Sequence, residues 1–148
     1  MKSQILNQYK ACFTMLKSCI ERYSDSVWYD KDNHETAAYE IAYHAIACTN
    51  LYSAPSEDGM VRWAGEADPD KHRFSQSEMV DYIEHVLRQI PVYLQSFSPE
   101  EDCWPDWYNL NQHEFHINSL RHVQHHAAEL IERHRSTKDL SVEWLTFQ

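Results

Sequence analysis

The sequence predicts an all-α fold: a four-helix bundle with two long connections and a short C-terminal extension. Three observations predict it. Apolar residues recur at alternating spacings of three and four, the period of a helix face, rather than at two. A serine or asparagine followed three residues later by glutamate announces two of the helix starts. Glycine occurs only twice in 148 residues, whereas sheet folds use it freely at turns and bulges. A chain of this length, 43% hydrophobic, suits one domain with one core over residues 1–148.

The first helix is predicted from about Ser3 to Tyr23. Ile5, Tyr9, Cys12, Leu16, Cys19 and Tyr23 form its stripe, widened by Leu6, Phe13 and Ile20. One face therefore enters a core. Cys12 and Cys19 lie in that stripe and read as small buried apolar side chains. Residues 24–33 form a polar loop that holds Trp28 and Tyr29.

The second helix is predicted from about His34 to Ser53. Asp32, three before Glu35, resembles a capping box, and Pro55 sets the end. On a helical wheel Ala37, Ile41, Cys48 and Leu51 fall within about 60° of His44. His44 is thus the polar residue in an apolar, core-facing stripe. Tyr39, Tyr43 and Ile46 make the opposite face apolar as well. A helix apolar on two sides is covered on two sides. The second cover is predicted to be another copy of the chain, giving a homodimer through Tyr39, Tyr43 and Ile46, with a loop of the same chain as the competing cover.

Residues 55–74 form a long connection with both glycines, Gly59 and Gly65, and with Trp63 as its apolar anchor. The third helix opens on the capping box Ser75/Glu78, with Phe74 and Met79 placed as a hydrophobic staple. Its stripe is Met79, Ile83, Val86, Leu87, Ile90, Leu94 and Phe97. Pro91 falls inside that stripe and predicts a kink. His85 lies off it and reads as a surface residue. A second connection, 98–110, contains Trp104, Pro105 and Trp107. The fourth helix opens on Asn111/Glu114 and runs to about Arg135, with Phe115, Leu120, Val123, Ala127, Leu130 and Ile131 in its apolar sector. The tail, 138–148, carries Leu140, Trp144 and Phe147 and is predicted to pack back on the bundle.

Composition narrows the function. The formal net charge is −10, from 23 acidic and 13 basic residues. That field repels phosphate backbones and anionic lipid surfaces, so nucleic acid and membrane surfaces are excluded as partners. The amino terminus lacks the apolar stretch of a signal peptide, and the chain has no apolar run of about 18 residues. The four cysteines form no C-x-x-C pair. A reduced, cytoplasmic setting follows as the expectation.

The chemistry lies in the histidines. His122 and His126 are one helical turn apart and share a face at the edge of the apolar sector, a spacing that offers two metal ligands at once. His125 falls on the solvent face with Asn118, Arg121 and Glu132. His44, on the second helix, is the natural third ligand. Three neutral imidazoles suit one divalent ion, zinc first, with nickel or ferrous iron as alternatives, and leave coordination positions open. Cys48, one turn beyond His44, is a candidate fourth ligand, with packing as its plainer role. Glu129 is a candidate to orient a ligand or hold a metal-bound water, against an ion pair with Arg133. His34, His72, His85, His113, His116, His125 and His134 read as surface or packing residues.

Two of these segments resemble a known family. Ala38-Tyr39-Glu40-Ile41-Ala42-Tyr43-His44-Ala45 resembles the second helix of the DinB/YfiT-like superfamily of metalloenzymes, and Leu120 to Leu130 resembles its last helix, which carries an H-x-x-x-H pair. The resemblance implies a four-helix bundle whose metal is held by His44, His122 and His126, and a dimeric assembly. Many members have glycine two residues after the last ligand, where this chain has Ala128. Relatives in that superfamily include S-transferases and isomerases that use small-molecule thiols such as bacillithiol or mycothiol. The expectation is therefore a metal-dependent enzyme that activates water or a small-molecule thiol. A metal-dependent hydrolase and a non-catalytic metal-binding or structural homodimer are the alternatives.

Overall fold

The computed structural model describes residues 1–135 and Leu145. The predicted packing of the 138–148 tail lies outside the described residues, apart from the half-buried Leu145. The described chain is all helical. In order come α1 (Lys2–Ile20), the short α2 (Asp25–Trp28), α3 (Ala38–Ser53), α4 (Gln76–Tyr93), a 3-10 turn (Asp106–Tyr108) and α5 (Gln112–Arg135). A single isolated bridge, Asp102 to Asn111, is the only β pairing among the described residues. No described helix is long and apolar enough to cross a membrane.

The four long helices close a ring. α1 packs on α4 and α5, and α3 packs on the same two, with α3 and α5 meeting most extensively. The apolar stripes read from the sequence face inward. Phe13, Leu16 and Ile20 of α1, Ile46 of α3, Met79, Ile83 and Ile90 of α4 and Leu130 of α5 are fully buried. Each such side chain contributes about 1.5–3 kcal/mol by leaving water.

Two helix starts follow their sequence signals. The Ser75 hydroxyl accepts the Glu78 N–H at 3.3 Å, and the Glu78 carboxylate accepts the Ser75 N–H at 2.7 Å. Asn111 and Glu114 exchange the same pair of bonds, at 2.9 and 3.0 Å. The second long helix departs from its prediction. It begins at Ala38 rather than near His34. The Asp30 carboxylate takes the N–H groups of Asp32 and Asn33, closing a turn that holds the chain out of helix. Glu40 then accepts the Ala37 N–H at 2.7 Å, doing from inside the helix what Glu35 was positioned to do. The one-turn α2 has no counterpart in the sequence reading. It sinks Trp28 into the core, where the indole N–H donates to the Phe74 carbonyl at 2.8 Å. Pro91 falls in the last turn of α4, and the helix stops at Tyr93 instead of bending and continuing to Phe97. A proline this close to a helix end costs little, because few hydrogen bonds remain to be lost.

The 55–74 connection wraps α3 and α4. Trp63 anchors it, stacked on Tyr82 with ring centroids 4.5 Å apart and donating to Asp81 at 2.9 Å. Gly65 lies under that indole, where a Cβ would stand 2.5 Å from Trp63 Cζ2, so only glycine fits. At the end of the connection Phe74 stacks on Tyr43 at 4.7 Å. The homodimer predicted through this face of α3 gains no support from the single chain. Tyr39 is 4% exposed and Ile46 is wholly buried within the single chain; Tyr39 lies against Tyr29, and the half-buried Tyr43 lies against Phe74 and Tyr82. The same wrapping corrects His85, which is buried with Nε2 at 2.9 Å from the Val61 carbonyl.

Candidate metal centre

The seam between α3 and α5 holds the three predicted histidines. His122 and His126 project from one face of α5, and His44 meets them from α3. The Nε2 atoms of His44 and His122 are 3.2 Å apart, and those of His122 and His126 are also 3.2 Å apart. Ligand nitrogens of all three lie within 4.8 Å of one another. Four-coordinate zinc, with Zn–N distances of about 2.0–2.1 Å, sets neighbouring nitrogens about 3.3 Å apart. The spacing therefore fits an ion. Among themselves, three inward-facing nitrogens make a poor cluster, since bare lone pairs repel and each proton present relieves only one contact.

The outer nitrogens support this orientation. His126 Nδ1 lies 3.0 Å from the Glu129 carboxylate. An imidazole that donates Nδ1–H to a carboxylate turns its Nε2 lone pair toward the centre. The contact is the one an orienting Glu129 would make, and Arg133 donates to the Thr36 carbonyl at 2.6 Å. His122 Nδ1 is buried without a hydrogen-bond partner. Burial foremost, and then the neighbouring His126, His44 and His125, push the pKa of His122 down to about 4. Burial and His126 also lower His44, against the pull of Glu129. Near pH 7 both are held in the neutral form that ligates metal. Cys48 approaches only His44 of the three, with Sγ 3.6 Å from Nδ1 and 3.8 Å from Nε2. Burial raises its thiol pKa, partly offset by a bond from Tyr52. A second cluster, His125, His126 and Glu129, also brings three ligand atoms together. It shares His126, whose Nδ1 is the atom that meets Glu129.

His44 and His122 open into a cleft of about 820 Å³. Its walls come from α1 (Gln8, Cys12), α3 (Cys48, Tyr52), Tyr108 of the 3-10 turn and α5 (Asn118, Arg121, Gln124, His125). The Tyr108 hydroxyl donates to that of Tyr52 at 3.1 Å, and the Tyr52 ring stands edge-on to His122 and Phe115. Sequence reasoning did not find Tyr52, Tyr108, Gln8 or Gln124. It also placed Asn118, Arg121 and His125 on a plain solvent face, which is in fact one wall of this cleft. Cys12, read as core, is buried but also lines the cleft and donates to Gln124 at 3.3 Å. The wheel could not show this, because the cleft needs three helices and a turn from the second connection.

Two of the remaining histidines are structural. His116 is buried, with Nδ1 3.0 Å from the Tyr9 hydroxyl. His134 is 3% exposed and donates to the Arg22 carbonyl at 3.0 Å. Comparison with protein-family models, with curated proteins and with solved structures finds no match to this chain.

Proposed function

We propose that this chain is a divalent-metal-binding protein of the DinB-like four-helix-bundle type. We further propose that it acts as a metal-dependent enzyme on water or a small-molecule thiol, in the manner of the thiol S-transferases. The observation that carries this reading is the convergence of three Nε2 atoms at 3.2 Å spacings beside an open cleft. His44, His122 and His126 would hold the ion, with zinc the first choice and nickel or iron next. When bound, it supplies Lewis acidity that lowers the pKa of a water or thiol brought against it. Glu129 fixes the tautomer and orientation of His126. The Tyr52 and Tyr108 hydroxyls offer hydrogen bonds to a molecule seated in the cleft. Two ligands at a cleft wall favour catalysis over a purely structural ion, because a structural site is closed by four protein ligands. The resemblance of the two histidine-bearing segments to the DinB/YfiT-like superfamily points the same way.

The test is metal analysis of protein purified without a histidine tag, with zinc, nickel and ferrous iron added back and thermal stability recorded. One ion per chain and a metal-dependent rise in Tm are expected, both lost in His44→Ala and His122→Ala. Protein that takes up none of the three metals, or a His122→Ala variant that binds as well as the parent, overturns the reading.

A further inference from the structure

The cleft differs in charge from the rest of the molecule. The chain carries 23 acidic residues, yet no aspartate or glutamate is among the described residues that line this cleft. Two other surface clefts are acidic. One, beside α2, is lined by Asp25, Asp30, Asp32 and Asp70 against Lys31 and Arg73, and another, at the start of α3 and reaching the other side of His44, by Glu35, Glu40 and Asp70 against Lys31. The metal cleft is lined instead by donors. Arg121 makes no ion pair or hydrogen bond among the described residues, whereas Lys17, Lys31, Arg62 and Lys71 are all paired with carboxylates. Gln124 accepts from Cys12 through Oε1, which leaves its amide N–H groups for a ligand. Gln8 and Asn118, whose side chains make no hydrogen bond among the described residues, add two more amides to the lining.

Guanidinium and amide N–H groups without a facing carboxylate match an acceptor-rich, negatively charged partner, and arginine suits planar or tetrahedral oxyanions in particular. Three neutral imidazole ligands would leave a dication's charge in place, adding to the same field. We propose that the cleft receives a small molecule carrying a carboxylate or phosphate group. Arg121 grips the oxyanion, and the amides of Gln8, Asn118 and Gln124 complete its hydrogen bonds. Calling that molecule the substrate rests on the metal-centre reading; the anion site itself does not.

The test is an NMR titration of metal-free protein with propionate, methylphosphonate and the neutral analogue propionamide. At least one anion is expected to shift the resonances of residues 118–125. Arg121→Gln is expected to weaken that binding about tenfold or more, the worth of a charge-assisted hydrogen bond, whereas the exposed Arg88→Gln on α4 leaves it within twofold. Binding of propionate alone assigns a carboxylate, and of methylphosphonate alone a phosphate. Propionamide binding as tightly as the anions overturns the inference, as do retained affinity in Arg121→Gln and shifts that avoid the cleft. A parallel zinc titration separates the two readings. Zinc uptake without Arg121-dependent anion binding removes only the anion site, and anion binding without zinc uptake removes only the metal centre.

Discussion

Glu129→Ala is the most informative single change at the candidate centre. The carboxylate meets His126 Nδ1 at 3.0 Å, with the glutamate side chain 40% exposed and the histidine 16% exposed. Partners of metal-ligating histidines typically contribute 10- to 100-fold to affinity. The exposure of Glu129 lets solvent screen it and places the effect at the low end, about tenfold, or about 1.4 kcal/mol. Glu129→Gln keeps an acceptor for the Nδ1–H but loses the charge, and is expected between parent and alanine variant. His126→Ala removes a ligand outright and is expected to lose far more. The assay is competition for zinc against a chromophoric chelator at pH 7 with tag-free protein. Had Glu129 served only an i,i+4 pair with Arg133, its removal would cost about 0.3–0.5 kcal/mol of stability and no affinity. An alanine variant within twofold of the parent, alongside a weakened His126→Ala, would refute the orienting role.

Two further changes probe the scaffold. Burial foremost lowers His116 from 6.5 to about 4, so between those values the unfolded chain binds a proton that the folded chain refuses. Stability is therefore highest above pH 6.5 and falls as pH drops toward 4, by about 3 kcal/mol from this residue. Urea unfolding of His116→Asn across that window should show a shallower pH dependence, and an unchanged slope counts against the assignment. Trp63→Ala removes the Tyr82 stack and the Asp81 bond, with an expected loss of about 3–5 kcal/mol in denaturant unfolding; a loss under 1 kcal/mol would mean the connection is not anchored there.

The parts legible in the sequence were those with local causes. Ser75/Glu78 and Asn111/Glu114 cap within four residues, and the apolar stripes depend only on helical period. The three histidines were legible because two share a face of α5 and the third lies on the stripe read from the α3 sequence, although that stripe opens to the cleft rather than the core at His44, which is exposed, with Cys48 and Leu51 half-buried. The misreadings share a different cause, contacts set by chain distant in sequence. His85 looks like a surface residue until Val61 arrives from the 55–74 connection. His116 pairs with Tyr9, 107 residues away. Tyr39 looks unpartnered until Tyr29 packs against it, and Tyr43 until Phe74 arrives from that connection. The start of α3 was misplaced because the Asp30 side chain competes for the N–H groups that a helix would otherwise present at 32 and 33.

The two-helix origin of the histidine cluster has a consequence for how the chain unfolds. His44 and His122 are 78 residues apart in sequence, and all of α4 lies in the segment between them. An ion on both would act as a staple, turning that segment into a closed ring whose ends cannot separate. The cost of closing so long a loop rises by only about 0.6 kcal/mol per doubling of length, so the ring's size is no obstacle. α4 and the 55–74 connection can breathe open without releasing the staple, but α3 cannot leave α5 while it holds. Free metal concentration would then set the lifetime of one seam of the molecule, and amide exchange would slow along α3 and α5 more than along α4.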